Sequence, residues 1–533
     1  MGRIRWLALI VLLLPLAVTW WLTVAGVWLG VWAAGNAAIA VRDQSVPALV
    51  RSVDGAARTA AVASWVASGW GVAAPLVPPL EGASEIGDRL GSLSEAGLAL
   101  APALAGAVGM DGPRNYLIFA LNDAESFASG GAPLSATVVR LDRTVPSIPV
   151  SGSVSLGLNP GNLPYRWDVA GGLPWYRPGT QYPLANSNYH PDFRTSGQNM
   201  VTAWNALDLP RVDGVITVDV AALSAILRVI GPVTVEGFGE VTADNVLRTV
   251  LVDAYREFPE NIDGIEARLA RMGANSELQS AVIDHLRDPR TALRAARALW
   301  DVTPSRHIQG YMTDPRLQSA VAAVGAGGAL SDPKGDVLGV FAQSAPSKLA
   351  IFQEQRIERR VEIQADGSAF VNQRVVFTNA VPEGLSGDRK AYRGYLALKY
   401  RQRVAYRIPA TATDPAIAVE DARALIKQED TGPFPDGVGG EVLWQGQDIR
   451  PQQSGATSLA YDLPPGTFGG SDGLAYTLTA DPQARSLPAT LDLTVIFPEG
   501  QSPRGDGPGW TLEGTTAHWA GTLDRPLELT AHD

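Results

Sequence analysis

Hydrophobic and polar positions divide the chain into four stretches with different periods. Residues from Trp6 to Val41 carry no Asp, Glu, Lys or Arg, and the residues after them, up to about 110, are rich in Ala, Gly, Ser and Val. Short apolar stretches then alternate with amphipathic helical patterns, and beyond residue 345 polar and apolar residues alternate. The pattern predicts an apolar leading helix, a helical segment, an α/β domain and a β domain, in that order.

The first stretch is long enough to span a bilayer. Its apolar core, residues 6–34, exceeds the roughly 20 residues that a transmembrane helix needs. Arg3 and Arg5 precede it, which favours a cytoplasmic N-terminus and an exported remainder. A cleaved signal peptide ending near WAAGNAA is the alternative, but such peptides have an apolar region of only roughly 7 to 15 residues. We therefore expect an uncleaved, single-pass membrane anchor with the bulk of the chain extracytoplasmic.

Residues 36–110 are predicted to form a helical stalk or hairpin. Val46, Leu49, Val50 and Val53 share one face of a helix, and the prolines of APLVPPLEG separate this segment from a second one between about 83 and 108. Two Ala-rich helices can approach each other closely. A membrane-proximal stalk is favoured over a ligand-binding role.

Residues 111–336 are predicted to form an α/β domain. NYLIFAL and SATVVRL have the content of buried strands, SIPVSGSVSL adds another, and TSGQNMVTAWNAL predicts a helix. The stretch VDGVITVDVAALSAILRVIGPVTV indicates strand, helix and strand, with Asp219 as the N-cap and Gly231 ending the helix. A helix capped at Thr242 and one or two amphipathic surface helices follow.

Residues 337–533 are predicted to form a sandwich-like all-β domain. RIERRVEIQADGSAFVNQRVVFTN alternates across a turn at Asp366 and Gly367, which is typical of a hairpin with one buried face. Further short strands with Gly and Pro turns continue to the end of the sequence.

Composition narrows the function classes. The formal net charge of -11 and the absence of a basic run argue against a nucleic-acid partner. The chain has no cysteine, so disulfides, thiolate metal sites and a cysteine nucleophile are excluded. The five histidines show no paired metal spacing and no G-x-S-x-G motif occurs, so we expect no protein-bound metal and no serine-hydrolase elbow.

Two polar stretches are candidate ligand sites. NDAESFASGGAP follows a buried strand, which predicts Asn122, Glu125, Gly130 and Gly131 at a sheet edge, and a simple glycine turn is the alternative. The long Pro, Gly and Asn segment from residue 159 to 194 carries many aromatic residues, and loops of this length often bind ligands. Its side chains suited to sugar faces and hydroxyls include Trp175, Tyr189 and Asp192, with ordinary turn formation as the alternative.

Four stretches are distinctive in order along the chain: RNYLIFALNDAESFASGG, ANSNYHPDF, the strand-helix-strand unit with DAYREFP after it, and GDVLGVFAQSAPSKLAIF. Together they resemble the domain-of-unknown-function 4012 family of bacterial envelope proteins over roughly residues 113 to 380. That family implies no established activity. A more distant similarity is to the LytR-CpsA-Psr phosphotransferases, membrane-anchored enzymes that move glycopolymers from polyprenyl pyrophosphate carriers to the cell wall. It implies a LytR-CpsA-Psr-like α/β fold and suggests that Arg256 faces an anionic ligand.

This similarity leaves two kinds of function open. The first is a noncatalytic or weakly catalytic envelope protein that binds cell-wall or capsular glycopolymer. The second is a phosphotransferase acting on lipid-linked sugars, the only interpretation that implies Mg²⁺, although the expected cations and metal-binding carboxylates are not evident in the sequence. A structural role beside an envelope protein partner is a third possibility. No cofactor and no catalytic residue is predicted.

Overall fold

The structure is a computed structural model that describes residues 46–71, 108–143, 145–258, 260–286, 288–344, 348–386, 400–420, 422–470 and 473–533, with individual residues between 87 and 107. The predicted membrane anchor, residues 6–34, lies outside the described residues. Of the helices in the described ranges, none is both long and apolar enough to cross a bilayer.

Two helical segments of small residues pack against each other near the start of the described chain. Helix α1 is Val46–Gly71, and the described residues between 87 and 106 that lie against it are helical too. A Cβ atom added at Gly97 would lie 2.6 Å from the Ala57 Cβ, and one added at Gly91 would lie 3.1 Å from the Ser64 Oγ. Contacts that run in opposite directions along the two segments make them antiparallel, and the close approach requires glycine on one side.

A mixed five-stranded sheet follows. Its strands and the small hairpin beside it are β1 Arg114–Phe127, β2 Gly130–Asp142, β3 Val145–Ser153, β4 Gly214–Val218, β5 Val233–Val235, β6 Gly239–Val241 and β7 Ile308–Met312. The order in the sheet is β3-β2-β1-β4-β7, while β5 pairs with β6. β1 is parallel to β4, and the other neighbours are antiparallel.

Four of the six helices described in this region begin at an aspartate cap. The six are α2 Phe193–Asn205, α3 Val220–Ile230, α4 (Val246–Arg248, π-helical Thr249–Asp253 and Ala254–Glu257), α5 Glu260–Leu286, α6 Pro289–Asp301 and α7 Pro315–Ala323. The carboxylates that accept a backbone N–H at the start of α2, α3, α6 and α7 belong to Asp192, Asp219, Asp288 and Asp314. The predicted cap at Asp219 is confirmed.

The C-terminal region consists of two large sheets that share one hydrophobic core. Its elements are β8 Asp336–Ser344, β9 Gln353–Ile363, β10 Ala369–Asn379, α8 Glu383–Ser386, β11 Tyr400–Pro409, β12 Thr413–Glu420, β13 Arg423–Ala424, β14 Phe434–Pro435, β15 Gly440–Ile449, β16 Ser454–Leu463, β17 Gly469–Gly470, β18 Gly473–Asp481, β19 Ala489–Ile496, β20 Arg504–Gly505, β21 Trp510–Glu513, β22 Thr516–Leu523 and β23 Leu527–His532.

One sheet has the order β12-β16-β10-β9-β19-β22-β21, and the other is built along β13-β15-β11-β8-β18-β23-β20. Val375 of the first sheet and Val404 of the second lie in the same buried cluster, so the sheets face each other. The hairpin predicted at Asp366 and Gly367 joins β9 to β10. An α/β region followed by a C-terminal β region is therefore confirmed.

The two regions meet over a buried surface. Trp167, Trp175 and Tyr176 belong to the same hydrophobic cluster as Phe341 and Trp444 of the second region. The segment between β18 and β19, residues 482–488, also reaches the first region, where the Gln483 amide donates to the Phe127 carbonyl at 2.7 Å. Several aromatic side chains of the segment are thus part of a core, whereas the residues around Arg166 and Arg177 are exposed.

Candidate functional site

The polar stretch NDAESFASGGAP forms the end of a β-hairpin. β1 continues to Phe127, β2 begins at Gly130, and those two residues pair across the turn. Asn122 and Glu125, predicted at a sheet edge, therefore lie in β1 beyond its pairing with β4, with a β-bulge between Asn122 and Ser126, and Gly130 and Gly131 begin β2 directly after the turn. All but Glu125 are buried, and ligand binding by these four residues stays a prediction.

Glu125 belongs to a cluster of charged and aromatic side chains. Its Oε1 lies 2.6 Å from the Nζ of Lys348, a side chain with only 2% exposure. The same ammonium lies 5.2 Å from the ring centroid of Tyr255, and the Arg271 guanidinium lies 4.2 Å from it. The Tyr255 hydroxyl accepts a long hydrogen bond from Asn122 at 3.4 Å. These groups stabilise one another, so Glu125 already has its counter-ion.

Arg256 follows Tyr255 but takes no part in that cluster. Its side chain is 45% exposed and its Nη1 lies 3.9 Å from Asp253 Oδ1. The structure therefore places Arg256 on the surface of α4, apart from Glu125 and Lys348. Whether it contacts an anion stays a prediction.

Of the three candidates from the aromatic segment, Trp175 and Asp192 are buried and Tyr189 is partly buried. Trp175 packs edge-on against Trp444 with ring centroids 5.3 Å apart, and Tyr189 is stacked on Tyr176 at 5.8 Å. Asp192 is buried, pairs with Arg194 at 2.8 Å and accepts the Leu330 N–H at 3.1 Å. These contacts account for the side chains structurally, and their binding of a glycan stays a prediction.

A polar cleft lies where the two regions meet. Its volume is about 560 Å³, which is in the range of small-molecule sites. It is lined by α3, the start of α4, the connection from α6 to β7, the segment between β18 and β19, and the turn after β22. The polar residues that line it are Ser224, Arg228, Asp244, Ser305, His307, Gln483, Arg485, Ser486 and Asp524.

An aspartate–histidine pair forms one wall of the cleft. Asp219 directly follows β4 and His307 directly precedes β7, and Val218 pairs with Ile308 in the antiparallel register. His307 Nδ1 therefore lies 2.6 Å from Asp219 Oδ2. Burial lowers the pKa of His307, but the Asp219 carboxylate outweighs it and holds that pKa above its ordinary value. The pair presents an imidazole of fixed orientation to the cleft.

A second carboxylate lies behind this pair. The Ser486 hydroxyl donates to Asp123 Oδ2 at 2.5 Å, which links β1 to the segment between β18 and β19. Burial, and next the negative charge of Asp219, raise the pKa of Asp123 to about 6. Its Oδ1 is buried without a hydrogen-bond partner in the described part of the chain. The cleft wall therefore holds titratable groups that respond near neutral pH.

The cationic groups of the cleft differ in whether other groups of the chain already bind them. Arg485 is buried and donates to the Gln353 carbonyl at 2.6 Å and to Gln355 Oε1 at 2.9 Å. Arg228, at the end of α3, is exposed and forms no ion pair with any described residue. Arg228 and His307 are thus the groups able to receive an anion.

Arginine and carboxylate side chains do converge in one cleft, but they are not the ones singled out from the sequence. Asp219 was identified only as a helix cap, and His307 only as a surface or packing residue. The pairing of β4 with β7 brings His307 next to Asp219 and so creates the site. In the sequence, the signal for this site was an aspartate, Asp219, directly after a predicted strand. Among the described residues, no three His, Asp or Glu side chains lie close enough together to hold a metal ion.

The family comparison covers four of the five strands of the sheet and six of the 14 residues that line the cleft. The sequence profile of the family described as "Protein of unknown function (DUF4012)" matches residues 111–255. The predicted resemblance to this family of unknown function is therefore confirmed over that range, which includes β1 to β6, α2, α3 and most of α4. No curated protein sequence matches the chain.

Solved structures with partial similarity include two from Bacillus subtilis. TagV, a LytR-CpsA-Psr family protein, is 16% identical, with 43% of this chain and 87% of TagV covered at a TM-score of 0.24. The transcriptional regulator yvhJ is 16% identical, with 43% and 85% covered at a TM-score of 0.23. Protein gbs0355 from Streptococcus agalactiae is 12% identical, with 41% and 76% covered at 0.27. At such TM-scores the similarity decides neither fold nor activity.

Proposed function

We propose that this chain is a membrane-anchored, extracytoplasmic bacterial envelope protein that binds cell-wall or capsular glycopolymer in the cleft between its two regions. The observation that carries the proposal is the cleft itself, whose lining combines Arg228, which forms no ion pair with a described residue, and the Asp219-bound His307 with several hydroxyl groups. The anchor at residues 6–34 and the LytR-CpsA-Psr-like character of the α/β region remain parts of the proposal that rest on the sequence.

The lining suits a ligand with hydroxyl groups and a negative charge. Ser305 and Ser486 supply hydroxyls, Asp244 and Asp524 supply acceptors, and Arg228 is an unpaired cation among the described residues. The apolar part of the lining consists of small or aliphatic side chains, namely Ala221, Ala243, Leu247, Val302 and Pro488. A sugar that carries a phosphate or carboxylate has this combination of groups, whereas an apolar ligand would leave the polar lining unpaired.

Binding of purified envelope glycopolymer to the full chain in neutral-lipid nanodiscs tests the proposal. The double variant R228Q/H307Q is expected to lose on the order of tenfold in affinity, since a hydrogen bond to a charged group contributes about 1.5 to 3 kcal/mol. Arg504→Gln, which removes an exposed charge on β20, is the matched control. Equal binding by the native chain and the double variant would contradict a role for the cleft.

The proposed location is tested separately. The full chain is expected in the membrane fraction, and external protease is expected to degrade residues 46–533 in cells whose outer layers have been removed. A chain recovered from the cytosol would remove the envelope interpretation.

A phosphotransferase acting on polyprenyl-pyrophosphate-linked glycans is the second candidate, and the His307–Asp219 pair is the observation in its favour because it supplies an acid–base group. A Mg²⁺-dependent release of phosphate from a polyprenyl pyrophosphate analogue, abolished in H307Q, would support it. An unchanged rate in Arg256→Ala would remove the arginine that the sequence suggested. A structural role beside an envelope protein partner would be supported if the β region alone captured one membrane protein.

A further inference from the structure

Helix α6 exposes a row of arginines. Arg290, Arg294 and Arg297 follow one another at intervals of four and three residues, so they lie on one face along about 10 Å of helix. All three are exposed, and none forms an ion pair with a described carboxylate. The chain as a whole carries a net charge of -11, so this local excess of positive charge is unusual in it.

Several other exposed arginines of the chain are neutralised. Arg356 pairs with Glu358 at 3.1 Å, and Arg360 pairs with Glu362 at 2.9 Å. The carboxylate nearest the start of α6, Asp288, is occupied in capping: it accepts from the backbone N–H of Thr291 at 2.8 Å and from its hydroxyl at 2.7 Å. The arginine row of α6 therefore keeps its charge available.

A tryptophan stands beside the row. Trp300 is 49% exposed, whereas Ala295 on the opposite side of α6 is buried in the cluster that α6 shares with α3. A large aromatic ring left half in water next to cations is a surface on which a sugar face can stack. Asp301 lies on the same line as the arginines one turn past Arg297, and it ends the row.

The row leads to the cleft. Directly after α6, Val302, Ser305 and His307 line the cleft, and α3, which α6 packs against, contributes Arg228 to it. A ligand bound in the cleft and long enough to pass Asp301 therefore meets the arginine face of α6.

We infer that the arginine row of α6, with Trp300, binds the continuation of a polyanionic glycan chain, one with phosphate or carboxylate groups on successive units, whose end occupies the cleft. This inference rests on the proposed function and names the class of glycopolymer. The spacing of one helical turn lets successive guanidinium groups contact successive anionic units.

An anionic lipid surface is the occupant that the structure disfavours. Helices that lie in a membrane interface bury an apolar face in the lipid. The apolar side of α6 is already packed against the fold through Ala295 and Leu299, so only the charged side is available. A purely electrostatic contact between the arginines and anionic lipid would also not explain why the helix that carries them leads into the lining of the cleft.

The test uses the full chain in neutral-lipid nanodiscs and labelled polyphosphate and polygalacturonate as probes, with fluorescence anisotropy at several salt concentrations. The triple variant R290Q/R294Q/R297Q is expected to bind both probes on the order of tenfold or more weakly. Affinity falls as salt rises, and the triple variant should reduce the steepness of this fall, in log affinity per log salt, by about 2. The reason is that each anionic group neutralised by an arginine contributes roughly 0.7 to the steepness. The matched control, R356Q/R360Q/R504Q, removes the same net charge from the β region and is expected to bind as the native chain does.

Equal losses in the two triple variants would show a net-charge effect and overturn the inference. Binding of the native chain to vesicles of phosphatidylglycerol but to neither polymer would also overturn it, in favour of a lipid surface. If R290Q/R294Q/R297Q binds like the native chain while R228Q/H307Q does not, only the role of α6 fails. If R228Q/H307Q retains full binding, the proposed function itself fails.

Discussion

Asp481 is the carboxylate whose removal should most disturb the junction between the two regions. It is fully buried at the end of β18 and accepts from Arg407 at 2.8 Å and, more distantly, from Arg306 at 3.5 Å. It also accepts from the Ser331 hydroxyl at 2.9 Å. The substitution Asp481→Ala leaves two buried guanidinium groups, of which Arg407 retains Asp436 at 2.6 Å. Arg306 has no other carboxylate within ion-pair distance among the described residues.

The size of the effect follows from this arrangement. Breaking a buried ion pair by removing one partner costs about 3 to 5 kcal/mol, because the remaining charge is left without compensation. Arg407 is partly compensated by Asp436, whereas Arg306 keeps only the Pro191 and Ala329 carbonyls. We therefore expect a loss of about 4 kcal/mol in the free energy of unfolding.

Urea unfolding followed by tryptophan fluorescence measures the loss, because Trp175 and Trp444 lie in the core that the two regions share. With a slope of about 3 kcal/mol per M, the midpoint should fall by about 1.3 M. Glu429→Ala, which breaks an exposed pair with Lys427, should shift it by no more than about 0.3 M. A midpoint for Asp481→Ala within that smaller range would refute the account of the junction as held by buried charge.

Three further predictions concern other parts of the fold. The fold favours the neutral form of Asp123, so the stability that this residue confers is complete below about pH 4 and is lost as the pH rises through its pKa of about 6. The substitution Asp123→Asn should therefore raise the free energy of unfolding at pH 8 by up to about 3 kcal/mol and leave it unchanged at pH 4. Because the chain has no cysteine, oxidation of Ser64→Cys with Gly91→Cys should give one disulfide on a nonreducing gel, while Ser64→Cys with Leu98→Cys should give none. Trp175→Ala should lower stability by about 3 to 5 kcal/mol in thermal unfolding, as for a large side chain removed from a core, and an unchanged melting curve would contradict its burial.

Local pattern was sufficient for much of the fold. The strand, helix and strand from Gly214 to Val235 follow from an apolar run, an aspartate cap and a glycine stop, all within 25 residues. The β9–β10 hairpin follows from alternation around Asp366 and Gly367. In each case the residues that decide the structure are neighbours in sequence, so propensity and packing agree.

The candidate site could not be predicted in the same way. His307 acquires its role from the pairing of β4 with β7, and β7 is a five-residue strand, Ile308–Met312, without a strong alternating pattern. The burial of Trp175 and Tyr176 could not be predicted either, because Pro, Gly and Asn indicate irregular backbone, and irregular backbone is usually exposed. Here Trp175 and Tyr176 bury it against the second region. Contacts between distant segments decided both outcomes.

The segment between β18 and β19 is synthesised long after the strand that it covers. Gln483 contacts Ser126 across 357 residues of chain. At about 5 to 20 residues per second, a ribosome needs roughly 20 to 70 s to make that interval. Throughout that time the β1–β2 turn has no cover from its final neighbour, and the cleft lacks the wall that Gln483, Arg485 and Ser486 form. A nascent chain interrupted before Asp481 would carry the family-matched sheet and yet have no binding site.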